Sequence, residues 1–546
     1  MKILQTFWTG PTQVNKKDVL SMKAGWLSCE YHWMSWALSC LQAKSVFGSV
    51  NLVTDKAGKE VLIDLLQLPY ANVSIALEGT LNNYHPELWA LAKIYTYSTQ
   101  TEPFLHLDGD VYLWQIPHQD LLNAPLIAQN LDKGLPFYAE ILDNINNQLS
   151  YVPELFSREY FEFKEARASN AGLLGGHNLA FFKEYCSKAF EFIDNNTSDL
   201  EKMNTGSLNL IFEQYLFCQL AQKLNIPITY YNAPVEDPVF KDYIRFEDYP
   251  NLKMIHPVGG FKQYAHVCDH LAKLLRNDYP DYYYRIINLM RNKGVKMRSV
   301  IYNTPGFSLH GVLKSNSSAS TAQPAFHRTQ AVVNYLNKKL HIHQLIDFDK
   351  NIRPHIFNKL VNLSALNNDD KERLLEVFNI ETKSNYLSNN IYSDAEAINK
   401  LYIQNINAYK LIRQTFSLPK HLLLQTRVDI QEPYKQFEVG WDWKYDYHKD
   451  IPSIVERNFG QEKLALTVIL LPDVLQAGIK EYYPDGLDLI VVETLKTSFS
   501  VELLLTEMKQ YFSEEEIEED YPAYETLIID VVKRLLYFGL LKINLH

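Results

Sequence analysis

From residue 1 to about residue 260, short apolar runs trade places with stretches whose apolar positions recur every three to four residues. Strand-like and helix-like patterns in alternation predict a mostly parallel sheet flanked by helices. Residues 3–8 predict a first strand, closed by Gly10 and Pro11, and Leu27, Tyr31, Met34, Leu38 and Leu41 predict the helix after it. Residues 50–53 and 71–77 predict the second and third strands. Pro86 and Glu87 suit the first turn of a helix that runs through Leu88, Leu91, Ala92 and Tyr95. The run Phe104 to Leu107 is apolar on both faces, the mark of a strand buried in a parallel sheet. After 126–128, the glycine-rich NAGLLGG at 170–176 predicts a short strand and loop feeding a helix near 179–193. Residues 207–224 predict one more helix, with Leu208, Ile211, Phe212, Tyr215 and Leu216 on one stripe.

The pattern then changes. Residues 315–323, SNSSASTAQ, are small and polar without periodicity, as a linker would be. Amphipathic helices follow over 326–415, a strand at 464–471, and a closing order of helix, acidic turn, helix and strand with Gly539 at a helix C-cap. The expected organisation is an α/β domain over 1–313, a linker at 314–325, a mainly helical accessory region at 326–460, and a winged-helix-like unit at 461–546.

Composition narrows the picture. A chain of 546 residues that is 47% hydrophobic can bury several cores. A net charge of −11 argues against a general nucleic-acid binder. Five scattered cysteines without ligand spacing fit reduced thiols in the cytoplasm. The start, MKILQTFWTGP, lacks the apolar run of a signal peptide, and no stretch reaches the length of a membrane span. A soluble cytoplasmic protein is expected.

Chemistry concentrates at two places. The buried run ends in Asp108-Gly109-Asp110, two carboxylates that can aim at one hard divalent cation, with Gly109 admitting a ligand close to the backbone. A plain Asp-Gly turn is the competing reading. Far downstream, His256, Gly259 and Lys262 are spaced so that an imidazole, an open backbone and an ammonium can meet one phosphate.

Together these motifs resemble nucleotide-sugar glycosyltransferases of the GT-A (Rossmann-like) fold, and most nearly the pattern of glycosyltransferase family 8, over the first 265 or so residues. That family carries DxD after a buried strand and H-x-x-G-x-x-K much later. The resemblance implies that Asp108, Asp110 and His256 hold Mn²⁺ or Mg²⁺ against the diphosphate of a donor such as a UDP-sugar, and that Lys262 contacts the leaving phosphate. It further implies that Asp55 meets the base, that Lys93 lies near the donor, and that Asn170 and Gly172 lie beside donor sugar and acceptor. Glu213 and Gln214 resemble the acidic-amide pair facing the reacting sugar, with Glu213 as the carboxylate an inverting transfer would need. Two departures stand out: Gln263 replaces the usual proline, and His106 sits inside the strand. Residues 489–545 also resemble leader-peptide recognition domains in their helix–helix–strand order, which implies a peptide acceptor.

Other features carry milder expectations. Trp26, Trp33 and Trp36 are expected in a core, and the aromatic run 440–448 in a packed loop that could otherwise stack a sugar. His341 and His343 have no third ligand nearby in sequence. Two rival functions stay open: a metal-dependent nucleotidyltransferase, and a non-catalytic peptide-binding scaffold with a decayed catalytic half.

Overall fold

In a computed structural model, the described residues are 1–13, 18–156, 165–236, 241–298, 326–340, 366–392, 395–444, 451–473, 478–496 and 499–544. They divide into two compact units, one of residues 1–246 with 252–297, the other of residues 247–251 with 298–546. The expected linker, and with it His341 and His343, lies outside the described residues.

The first unit is built on a seven-stranded sheet in the order Ile228–Tyr230, Leu126–Ala128, Leu173–Gly176, Phe104–Leu107, Lys2–Phe7, Asn51–Thr54, Asn72–Ser74. Neighbouring strands pair in parallel except Leu173–Gly176, which runs antiparallel to both of its neighbours. Helices cover the sheet, among them Cys29–Phe47, Ala90–Ser98 and Leu179–Asp194. This is the mixed, mostly parallel α/β architecture that the sequence pattern predicts. All four residues of Phe104–Leu107 are buried, as a central strand requires.

Three local expectations are corrected. The first long helix starts at Cys29, with Ser28 in extended backbone before it, so Leu27 lies outside it. The next helix starts at Ala90, not at Pro86. Asn209 explains the delay: its side chain accepts from the Ala90 amide and donates to the Glu87 carbonyl, taking the backbone groups a helix start would use. The predicted helix at 207–224 is divided, with a wider π-helical turn over Leu210–Tyr215 leading into an α-helix over Leu216–Lys223. Such turns are uncommon and often mark functional positions.

The second unit has one core that joins Val332 and Leu374 from helices to Trp443, Val468 and Leu470, so residues on both sides of position 460 share it. Trp441 and Trp443 are buried there, and Trp443 donates its indole N–H to Glu376. The described part of the aromatic run is therefore core, with no face left to stack a sugar. At the end of the chain, Val501–Met508, Glu514–Glu519 and Tyr521–Phe538 are helices, so the acidic stretch is itself helical. Gly539 closes the last of them at φ 80°, and Leu541–Asn544 pairs with Arg427–Ile430. Among the described residues no helix is long and apolar enough to cross a membrane.

Strand packing in the first unit leaves no room at Gly175, where an added Cβ would lie 2.1 Å from the Phe104 carbonyl oxygen. Gly175→Ala should destabilise the protein by about 1–3 kcal/mol, read as an earlier denaturation midpoint. An unchanged midpoint would contradict the pairing of Gly175 with Leu105.

Candidate metal centre

The strand ends at Leu107, and Asp108, Gly109 and Asp110 lie in the turn beyond it, closed by the Val111 amide on the Asp108 carbonyl at 3.1 Å. The two acids converge because the chain turns, not because alternate residues of a strand share a face. The same residues thus form a turn and present two carboxylates of a candidate cation site. The helix Cys29–Phe47 supports the turn from behind. Ser35 Oγ donates to the Gly109 carbonyl at 2.7 Å, and Ser39 Oγ to the Asp108 carbonyl at 3.0 Å. A Cβ on Gly109 would lie 2.5 Å from the Trp36 ring. Packing against Trp36, rather than approach of a ligand, is what requires glycine there.

A two-strand ladder delivers the histidine. Ile255 pairs with Tyr112 in antiparallel register, which sets His256 level with Val111, one residue from Asp110. One ligand atom from each of Asp108, Asp110 and His256 falls within 4.8 Å of the others, a candidate site for a metal ion. His256 Nδ1 lies 2.7 Å from Gln129 Oε1, an acceptor, so the ring proton sits on Nδ1. The Nε2 lone pair then faces Asp110, 3.6 Å away. Burial, with Lys262 and Lys93 adding to it against the pull of Asp110, lowers His256 to about 4, so the ring is neutral and fit to ligate. Two carboxylates and a neutral imidazole, with an outer amide fixing the tautomer, suit a divalent cation such as Mn²⁺.

Each acid also has a lysine. Lys93 Nζ lies 3.0 Å from both Asp108 oxygens and 2.6 Å from Glu213 Oε1, and Lys262 Nζ pairs with Asp110. Burial alone would depress Lys93, but the two carboxylates outweigh it and raise its pKa above the usual lysine range. Burial raises Glu213 to about 7 despite Lys93. For Asp108 burial also wins, giving about 6, while for Asp110 Lys262 and His256 overcome burial and hold it near 2. The difference follows from the like charge of Asp110, which adds to burial at Asp108, and from Lys262 with His256, protonated at low pH, beside Asp110.

The other residues expected at the site have defined surroundings of their own. Gly172 is confined, since a Cβ would lie 2.3 Å from the His256 ring. Asn170 Oδ1 accepts from the Gly172 amide and is mostly buried. Gly259 has φ 49° and open space around it, as a turn ahead of Lys262 needs. Gln214 is hydrogen-bonded to Tyr138 at 2.7 Å. Asp55 has both oxygens engaged, one by the amide and hydroxyl of Thr9, the other by the Gly58 amide. Its carboxylate ties the first strand's end to the helix Lys56–Lys59. His106 is fully buried and neutral, pushed well below the usual histidine range by burial, and lies against Thr6 and Tyr97.

Sequence reading missed Gln129, Asn130, Asp132 and Tyr138, all buried. The available signal was a polar run, QNLD, directly after the apolar strand 126–128.

Fold and site define an α/β protein with a candidate Asp-Asp-His cation centre beyond the carboxyl end of a central strand. The chain belongs to a family of unknown function (DUF6734), whose model matches residues 1–289. No curated protein matches the sequence. Among solved structures, the glycosyltransferase GlyE of Streptococcus pneumoniae TIGR4 is similar at 13% identity and a TM-score of 0.26, over 54% of this chain and 64% of GlyE. The chain thus spans less than two thirds of that neighbour, and a score at that level carries no structural argument.

The outer amide gives a direct test. Gln129→Leu should weaken Mn²⁺ binding about 10- to 100-fold in calorimetry, with the denaturation midpoint little changed. Equal affinity in wild type and variant would remove His256 from the ligand set.

Proposed function

We propose that the protein transfers a sugar from a nucleoside-diphosphate donor, a UDP-sugar by the motif resemblance, to an acceptor hydroxyl. The observation that carries this reading is the convergence of the Asp108–Asp110 pair with His256, far downstream in sequence, and with Lys262 paired to Asp110. When ionised, Asp108, Asp110 and Glu213 set three negative charges against the two positive charges of Lys93 and Lys262. A divalent cation turns that net −1 into +1, a pocket suited to an anionic phosphate. The bound cation would neutralise the diphosphate and stabilise it as a leaving group.

The chain's own groups do the rest. In the transfer, the bond between the anomeric carbon and the β-phosphate oxygen breaks and its electron pair leaves with the diphosphate. A bond from the acceptor oxygen to the anomeric carbon forms, and the acceptor's proton passes to the departing phosphate or to a base. Lys262, freed from Asp110, supplies a positive charge to the leaving group. Lys93 holds Asp108 from behind; a carboxylate has room for it and for a cation, since its two oxygens offer about four lone-pair directions. Glu213 is fully buried behind Lys93, which supports a role for it in setting the position and charge of that lysine. Asn170 and Gly172 line the wall against His256, where the sugar side of a donor would lie.

Incubation with a panel of UDP- and GDP-sugars and Mn²⁺ should release the nucleoside diphosphate, and Asp110→Asn should slow that release roughly 100-fold or more. Release of pyrophosphate from nucleoside triphosphates instead would replace the reading with nucleotidyl transfer. Absence of any metal-dependent nucleotide binding would leave no transferase reading at all.

A further inference from the structure

Beside the cation centre, a buried chain of polar groups ends on Gln214. Asn130 Nδ2 donates to Asp132 Oδ1 at 2.6 Å, and the Tyr138 hydroxyl lies 2.9 Å from Asp132 Oδ2. The same hydroxyl lies 2.7 Å from Gln214 Oε1. Asn130, Asp132 and Tyr138 are buried, whereas Gln214 is partly exposed and its other amide atom has no partner among the described residues. Gln129, the residue after the strand Leu126–Ala128 and next to Asn130, is the group hydrogen-bonded to His256, so this chain and the candidate cation centre share one segment.

The proton count in this chain does not close as placed. Asp132 and Gln214 present two accepting oxygens to one hydroxyl, and a hydroxyl has one proton. Asp132 needs that proton more. Burial raises it only to about 6, with the hydrogen bonds from Tyr138 and Asn130 working the other way, so it is a carboxylate at pH 7.5. An ionised acceptor also makes the stronger hydrogen bond. Tyr138 therefore donates to Asp132, and its oxygen is left to accept. An amide's oxygen and nitrogen are alike in shape, so a half-turn of Gln214 gives the Tyr138 oxygen a donor and leaves its proton to Asp132.

We propose that the Gln214 carboxamide is turned so that Nε2–H donates to Tyr138 and the carbonyl oxygen faces the accessible side, with Tyr138 and Asp132 as the positioning residues that fix this orientation. The buried chain thus reads Gln214 to Tyr138 to Asp132, with Asn130 donating to the other carboxylate oxygen. The group it presents is a hydrogen-bond acceptor, which suits a hydroxyl of the ligand. That use of the oxygen rests on the proposed sugar transfer; the orientation itself does not.

Full-length protein labelled with ¹⁵N-glutamine tests the orientation at pH 7.5, the Gln214 signal being assigned by its loss in Gln214→Met. One Gln214 side-chain amide proton should resist exchange with solvent in the wild type, lose that protection in Tyr138→Phe, and keep it in Asp132→Asn, which still accepts from Tyr138. Free exchange in the wild type, or protection indifferent to Tyr138→Phe, overturns the proposal. Turnover tests the positioning role: with a UDP-sugar and Mn²⁺, Tyr138→Phe should lower kcat about 10-fold while donor KM and Mn²⁺ affinity change less than about twofold. An unchanged kcat, or a loss of kcat matched by loss of Mn²⁺ binding, overturns that role. If the wild type turns over no nucleotide sugar, the transfer reading and the positioning role both fall, and the exchange experiment still decides the orientation.

Discussion

The site depends on a lysine that cannot leave. Lys93 is almost wholly buried between Asp108 and Glu213, and the Trp89 ring lies 5.0 Å from its ammonium. Three charges in so dry a space persist only as a set. Removing the lysine would leave the Asp108 and Glu213 carboxylates without their shared counter-ion in a nearly dry space, at a cost of about 3–5 kcal/mol. The lysine is therefore a structural pin as well as a source of charge. It fixes where Asp108 points before any ligand arrives, and so fixes one wall of the cation centre.

The other wall is fixed by packing. Ser35, Trp36 and Ser39 lie on one face of the helix Cys29–Phe47, at the spacing that brings side chains into line on consecutive turns. Two of them hold carbonyls of the acidic turn, and the third fills the space a Gly109 side chain would need. Gln5, from the neighbouring strand, donates to Ser39 at 2.7 Å and joins the same support. Helix and strand thus hold the acidic turn from beneath, and its carboxylates are left to the candidate cation site. Lys262 differs from Lys93 in this respect. It sits after a glycine-rich turn and keeps about a fifth of its side chain exposed.

Much of this was legible from spacing, and the reasons divide cleanly. Asp108, Asp110 and His256 were found because local patterns carry them: an apolar run with two acids at its end, and a histidine before a glycine turn and a lysine. The cause of convergence was not legible, because it lies in Trp36, Ser35 and the pairing of Ile255 with Tyr112, all far away in sequence. Asp55 shows the converse. A carboxylate at a strand end is equally a ligand contact or a helix cap, and only Thr9 and Gly58 show that here it caps. Asp132 and Tyr138 were passed over because polar residues after a strand look like loop until their partners are known. The late start of the helix at Ala90 has the same origin, since Asn209 competes for its first backbone groups from more than a hundred residues away.

The second unit repeats the lesson with aromatic residues. Trp441 and Trp443 flank an acid in the sequence, which on a surface would make a sugar platform. Their burial follows from Glu376, whose carboxylate accepts from the Gly440 and Trp441 amides and from the Trp443 indole. One helix acid thus satisfies three donors at once and draws the aromatic segment inward. Arg373 then stacks over the Trp441 ring at 4.5 Å, which leaves that ring's π-face facing protein. The Trp443 indole N–H and one face of the Trp441 ring are thus both supplied from within the protein. In the first unit, by contrast, the acidic turn, Lys262 and Gln214 each keep part of their polar surface open.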